Sequence, residues 1–443
     1  MRKILRFSLI LLGLVVVLLA ATVAPIKRYP VQEQTFYQQM LASIKPLPDL
    51  PDTATLRAGA AKVSITPRQR TATAGYGKRR GKHFTHIDDS VFVRTLVITS
   101  AAKPVAIVAA DLLIIPPLVR AELEQRLPEI GFTLDQVYLG ATHSHNSLGH
   151  WSHGISAFLY GTYSDSIVHF ISNQILASIQ LAAVETQPAV MSYQAVHVPE
   201  AVSNRLNAGG AVDSILHVVR IDRHDQKKFL LTTFAAHATC FPADSITLSR
   251  DYPGRLVDIL EQSGFDHVQF MAGAVGSQAT HVPDDAPSCV AWTAETLATA
   301  FLRDTAARVS LHTSTIQVQH LPLQMPDPQA KISKNWRLRP WLFRALMGES
   351  INEFTVLRVG SLLMIGTPCD FSGELALSLY QHARKKGVHV MATSFNGGYM
   401  GYITPDSYYD QDHYETRLMN WYGPGNGTYF LKCMEKIIDV NAQ

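Results

Sequence analysis

Strand-length apolar runs alternate with helix-period stripes along most of the chain, and this alternation limits the fold more than any other feature. VFVRTLVI (91–98) and VAIVAADLLII (105–115) flank a turn at Lys103-Pro104. A helix is predicted over Val119–Pro128 and a strand over QVYLGAT (136–142). Residues 165–184 place Ile167, Phe170, Ile171, Ile175 and Ile179 at helical spacing, and Ala182 continues the stripe. Further strands are expected at 189–197, 215–222, 228–236 and 267–276, a strand pair over 352–365, and a strand at 388–394. Helices are expected at 252–263, 294–309, 372–386, 406–419 and 427–437. Such a pattern predicts an α/β fold, with mixed β-sheets, helices on the outer faces and one large domain over 56–443. The insert 323–350, with Trp336, Trp341 and Phe343 among basic residues, reads as a surface loop, partly buried. Its mixture of Trp and Arg is also common at membrane interfaces.

The N-terminus obeys a different rule. Arg2, Lys3 and Arg6 precede Phe7–Ile26, an uncharged and nearly all-apolar run. As a helix it reaches about 30 Å, the thickness of a bilayer core. Residues 1–28 therefore read as a signal anchor or signal peptide. The anchor is preferred, because the run is long and Pro25 spoils the cleavage context after Thr22 and Ala24. Residues 29–55 are expected to form a linker with a short helix at Val31–Lys45, and KPLPDLPD (45–52) is punctuated by proline. The remainder is expected to be exported. Cys240, Cys289, Cys369 and Cys433 form no CxxC pair, which argues against a thiolate metal site. Export permits disulfides, with the pairing left open. The net charge of +3 comes without a basic stripe, so nothing points to nucleic acid. Oligomeric state is left open.

Three histidines crowd GATHSHNSLGHW (140–151) where an apolar strand ends. In an extended segment i and i+2 share a face, so His143 and His145 can point into one cavity. His237 ends a second apolar strand in FLLTTFAAHATCF (229–241). Strand C-termini are where α/β folds place ligands, and imidazole is the commonest metal ligand. Asp370, in IGTPCDFSGELAL (365–377), is either a helix N-cap or a hard oxygen ligand. Glu374, one helical turn on, competes for that role. FNGGYMGYITPDSYY (395–409) frees the backbone at glycines 397, 398 and 401 and projects Tyr399 and Tyr402. A metal can bind a phenolate by lowering its pKa.

Together these segments resemble the catalytic domain of the neutral/alkaline ceramidases, a family of zinc amidases. The likeness runs from about 57 to 435. It includes AGAAKVSITP (58–67), GYG (75–77), HIDDSVFVRTLVI (86–98), ATHSHN, FAAHAT, TPCDF, YMGYIT, DHYE (412–415) and WYGPGNGT (421–428). The resemblance implies zinc held by His143, His237, Asp370 and Tyr402. It implies a catalytic His145, with Arg205 and Tyr414 positioning a lipid amide substrate. Departures accompany it. Asp370 stands for a glutamate, one methylene longer, and Asn146 stands for a serine. GSQATH (276–281) puts Ala279 where the family carries a serine, leaving Ser277 as a candidate catalytic hydroxyl. The implied function is hydrolysis of an N-acyl lipid such as ceramide at a membrane. The alternatives are a zinc hydrolase of another ester or amide in the cell envelope, or a non-catalytic envelope protein of this fold.

Overall fold

Every residue of the strands Val105–Ala110, Val137–Ala141 and His267–Ala272 is buried. A strand can be covered on both faces only inside a layered fold. The computed structural model describes residues 2–48, 55–100, 103–311, 316–348, 352–396 and 398–442, and it shows two mixed sheets stacked face to face. The first runs in the order His267–Ala272, Lys228–Phe234, Ile215–Arg223, Gln187–His197, Arg57–Ser64, Phe92–Thr99, Val105–Ala110, Val137–Ala141. The second runs Ile316–Pro322, Glu353–Val359, Leu362–Thr367, His389–Ser394. Ile107, Tyr138, Leu231, Met271, Leu357, Met364 and Met391 fill the space between them.

Helices cover the outer faces. Pro117–Arg126 and Asp165–Val184 pack on one part of the first sheet. Asp251–Gln262 and Cys289–Arg303 pack on the other part. Thr35–Ser43, Gly373–Lys385 and Asn426–Asn441 close the second sheet. Asp165–Val184 is long and apolar enough to cross a membrane. Its Ile171, Ile175 and Ile179 are nevertheless fully buried against the sheet, so it is a core helix.

Within the two large sheets, three neighbouring pairs among the described residues are parallel: Val105–Ala110 with Val137–Ala141, Lys228–Phe234 with His267–Ala272, and Leu362–Thr367 with His389–Ser394. Adjacent strands rotate by roughly 20–25°. The first sheet also turns a corner where Arg57–Ser64 and Gln187–His197 share only two residue pairs, and its two edge strands meet, so that Gly140 has no room for a Cβ beside the Met271 thioether. The C-terminal ends of strands from both sheets thereby converge, and the histidine segments leave from them.

The N-terminal helix Arg2–Thr22 has no buried residue. Within 29–55, the helix Thr35–Ser43 puts Tyr37 and Met40 into the core beside Phe430, and Ile44 and Leu47 follow them. Residues 49–54, the rest of the expected linker, lie outside the described residues. Three expectations about elements change. The helix expected at 294–309 is Cys289–Arg303, capped by Ser288. The helix expected at 406–419 is a 3-10 turn at Asp406–Tyr408 and one turn at Tyr414–Arg417. Asp406 instead holds the backbone of Gly427 and the hydroxyl of Thr428, the kind of side-chain bond that competes with helix. The insert 323–350 is not merely loop. It contains a strand, Trp336–Leu338, and a helix, Pro340–Met347, which starts on a proline and buries Phe343. Cys240 and Cys289 form a disulfide, while Cys369 and Cys433 are free and buried.

Candidate metal centre

His143 leaves its strand with a left-handed backbone (φ 62°), and so does Phe395 (φ 68°). A non-glycine residue there costs about 1–3 kcal/mol and persists only where its surroundings enforce it. The two rings stack with centroids 3.8 Å apart and planes 4° from parallel, which fixes the His143 imidazole. Its Nδ1 donates to the Leu113 carbonyl at 2.6 Å. The Nδ1 of His237 donates to the Val275 carbonyl at 3.2 Å.

Those two carbonyls decide the tautomers. With each Nδ1 carrying the proton, each Nε2 presents a lone pair. The two Nε2 atoms stand 2.9 Å apart, lone pair to lone pair. Protonation does not relieve them. Burial drives the His143 pKa down to about 3 and that of His237 well below its ordinary value, and the Arg205 charge adds to both. A shared cation does relieve them, since two imidazole nitrogens at a zinc-ligand distance of about 2.0–2.1 Å from one ion sit roughly 3 Å apart.

Asp370 supplies the anion. Its Oδ1 is buried without a hydrogen-bond partner, 3.6 Å from His143 Nε2 and 3.7 Å from His237 Nε2. Its Oδ2 accepts the Tyr399 hydroxyl at 2.7 Å. Burial raises the Asp370 pKa to about 7, against the pull of Tyr399 and Arg205. The short side chain reaches because its backbone is brought in close. Asp370 pairs with Tyr402 in a two-residue parallel ladder, and Gly276 packs so tightly on its carbonyl that a Cβ would lie 2.4 Å from the oxygen. Glu374 does not compete. Its carboxylate is taken by the hydroxyls of Ser277 and Ser372 and by Asn204 Nδ2 at 2.6 Å.

The other expected residues divide. His145 joins the group, its Nε2 3.1 Å from that of His143, and the three rings bring their nitrogens within 4.8 Å of one another. Alone of the three it is only partly buried. Tyr402 lies beside Asp370, its hydroxyl accepting from Arg205 Nη2 at 3.1 Å. Burial pushes that phenol far up, and the Arg205 charge opposes it. Arg205 is itself clamped by Glu415 at 2.9 Å. Tyr414 is 54 % exposed and stands edge-on to Tyr402, centroids 6.1 Å apart. Ser277 is not brought in. Its fully buried hydroxyl also accepts the Gly373 backbone N–H at 3.1 Å, so it serves the start of a helix.

Sequence reasoning missed several supports. Tyr76 stands edge-on to His145 at 4.8 Å. Phe395 and Glu415 gave no signal beyond their neighbours. Arg79, 2 % exposed, has no carboxylate partner among the described residues. It donates instead to the carbonyls of His145, Ala243 and Ser245 at 2.7–2.9 Å, and to Asn146 Oδ1 at 3.2 Å. Asn146 in turn donates to the carbonyls of Ser245 and Thr247. That departure therefore builds a buried amide–guanidinium clamp behind the histidine segment. Nothing chemical is asked of it. His150, the third histidine of the opening motif, latches the loop by accepting Ala72 N–H and bonding the Thr162 carbonyl.

The model of neutral/alkaline non-lysosomal ceramidase, N-terminal, matches residues 57–296, more than half of the chain. The chain belongs to this family. Its fold is shared with solved ceramidases. The crystal structure of neutral ceramidase from Pseudomonas aeruginosa superposes at a TM-score of 0.73 and 17% identity, over 88% of this chain and 74% of that one. A ceramidase complexed with C2 gives 0.73 at 16%, over 88% and 75%. Comparison with curated proteins finds no match. In this chain the fold thus brings together three histidines, two buried and one partly buried, able to hold a metal ion, and family and fold together support hydrolysis of ceramide-type amides.

Proposed function

We propose that the chain is a zinc-dependent amidase that hydrolyses an N-acyl lipid such as ceramide, releasing a fatty acid and an amine. The observation that carries this reading is the pair of facing Nε2 lone pairs with an orphaned carboxylate oxygen beside them. In it, His143, His237, Asp370 and Tyr402 hold the ion. Zinc in such a site supplies a Lewis acid that polarises a carbonyl and makes water acidic enough to ionise near neutral pH.

The chain's own groups do the rest. His145, the one partly exposed ring of the three, takes a proton from the attacking water. It then gives that proton to the nitrogen of the leaving amine, a transfer that contributes typically about 10²–10⁴-fold. Burial and the neighbouring His143 hold its pKa well below the ordinary value, so it starts neutral and able to accept. Arg205 holds the oxygen on which charge develops, a role supported by its contacts to Tyr402 and Glu415, and the exposed Tyr414 holds the substrate. Ser277 has no part in this scheme. The domain over 56–443 is the hydrolase, residues 29–55 join it to 1–28, and the apolar helix within 1–28 anchors it outside the membrane it crossed.

Metal analysis and fatty-acid release from a fluorescent ceramide test the reading. Wild type is expected to carry about one zinc and to release fatty acid. His237→Ala loses both. His145→Ala keeps the metal and loses turnover by about 10²–10⁴-fold. A metal-free wild type, or undiminished turnover in His145→Ala, overturns it.

A further inference from the structure

The apolar helix ends on the insert, not on a free linker. Val23–Pro25 pairs antiparallel with Trp336–Leu338. The Arg339 backbone N–H donates to the Thr22 carbonyl at 2.8 Å, Arg339 Nε to Ala20 at 2.8 Å, and Trp341 Nε1 to Ala21 at 2.9 Å. The last carbonyls of the helix are thus capped by the insert, which fixes one to the other.

The insert is strongly apolar on its outside. Ile332, Trp336, Trp341 and Leu346 are 38–54% exposed within fifteen positions. The short helix Ile155–Tyr160 adjoins it, with Gly154 packed against the Leu346 carbonyl. That helix exposes Ile155 (41%) and Phe158 (63%) and buries nothing. Lys334 and Arg339, both exposed, add positive charge to the same surface.

Two chains of contact lead from this patch to the histidines. Phe343 packs on Trp421 at 5.6 Å, Trp421 on Tyr399 at 5.5 Å, and Tyr399 holds Asp370. On the other side, Leu159 fills the space at Gly77, next to the Tyr76 that borders His145. The insert that holds the end of the anchor is thus joined by packing to the surroundings of Asp370, and the adjoining helix to those of His145.

We infer that the face formed by residues 332–346 and the helix Ile155–Tyr160 lies on the bilayer that holds the N-terminal helix, so that the partly exposed His145 and the exposed Tyr414 are approached from that lipid surface. The inference rests on reading Arg2–Thr22 as a membrane anchor. The occupant is lipid and not a partner protein because the patch is joined through backbone hydrogen bonds to a span that is fully exposed and apolar. Exposed Trp beside Lys and Arg suits the headgroup boundary, and cations near it meet phosphates. A substrate with acyl chains would then enter by moving along the leaflet.

The test uses the full chain in phosphatidylcholine–phosphatidylglycerol vesicles. Phe158→Cys and Leu346→Cys are labelled with an environment-sensitive fluorophore. Val184→Cys, 79% exposed at the C-terminal end of the helix Asp165–Val184, is the control. The native thiols are bonded or buried, so only the new one reacts. Lipids with a quencher on the acyl chain are expected to dim labels 158 and 346 at least twofold and to leave 184 unchanged. Labels 158 and 346 as bright as 184 in membrane-inserted chain would reduce the helix to a plain tether and overturn the inference. A chain washed from the vesicles by carbonate overturns it together with the anchor. Neither result depends on turnover, so failure of the amidase reading stays separate.

Discussion

Tyr399 does for Asp370 what a longer side chain would do unaided. Its hydroxyl occupies Oδ2 and so turns Oδ1 toward the histidines. Tyr399→Phe is expected to weaken metal affinity about 10–100-fold, as loss of a group that orients a ligand does, with the fold intact; competition with a chelating dye measures it. Asp213 offers a separate readout of burial. It lies far inside the protein, accepting from Ile215 N–H and Tyr380, and burial raises its pKa to about 7 against those bonds. Between about pH 4 and 7 the folded chain therefore keeps a proton that the unfolded chain has lost, so this carboxyl makes stability fall as pH rises. The buried His217 and His267, both lowered to about 3 by desolvation, act oppositely below pH 6.5. Comparing Asp213→Asn with wild type isolates the carboxyl. The variant should gain stability relative to wild type as pH is raised from 4 to 7 and no more above it, read from melting temperatures. At this scale the sequence told much. His143, His145 and His237 stand at strand ends, and that position, with the i, i+2 spacing of the first two, marked them. Arg79 and Phe395 could not be found, because a carbonyl-saturated guanidinium and a stacked ring depend on loops that meet only after folding.

Elements were legible where periodicity was strong. Asp165–Val184 follows its isoleucine stripe from end to end, and the all-apolar runs at 105–110 and 267–272 are the doubly covered strands. Reading failed where side chains override the backbone, as at Asp406, or where tertiary contact rescues a short element, as Phe343 does for Pro340–Met347. Glycine 397, read as part of a freed loop, lies outside the described residues. Gly75 shows the opposite case, a glycine with a demonstrable duty. At φ 117° it lets the Tyr76 segment touch the His145 backbone, where a Cβ would fall 2.4 Å from the carbonyl oxygen. The Cys240–Cys289 bond ties the segment after His237 to the helix Cys289–Arg303 across 49 positions. Closing a loop of that length stabilises by about 4 kcal/mol in the chain-entropy account. Cys289→Ser should shift urea unfolding by up to that amount, and reductant should do the same to wild type but nothing further to the variant.

For the molecule as a whole, the class of fold was readable and the joining of its halves was not. Nothing in the sequence says that one sheet brings His143 and His237 while the segments beyond the other bring Asp370 and Tyr402. An ion bound there fastens the two sheets together, so chelation should lower the melting temperature by several degrees, restored by stoichiometric zinc, because a ligand that binds only the native state stabilises it. A chain unfolding at one temperature with and without chelator would contradict this. The same division has a bearing on biosynthesis. A nascent chain that has emerged only as far as residue 360 owns its imidazoles but not their carboxylate, so it has no complete nest for the ion. On the proposed reading, competence then arrives late and all at once, when the segment that carries Asp370 and Tyr402 docks.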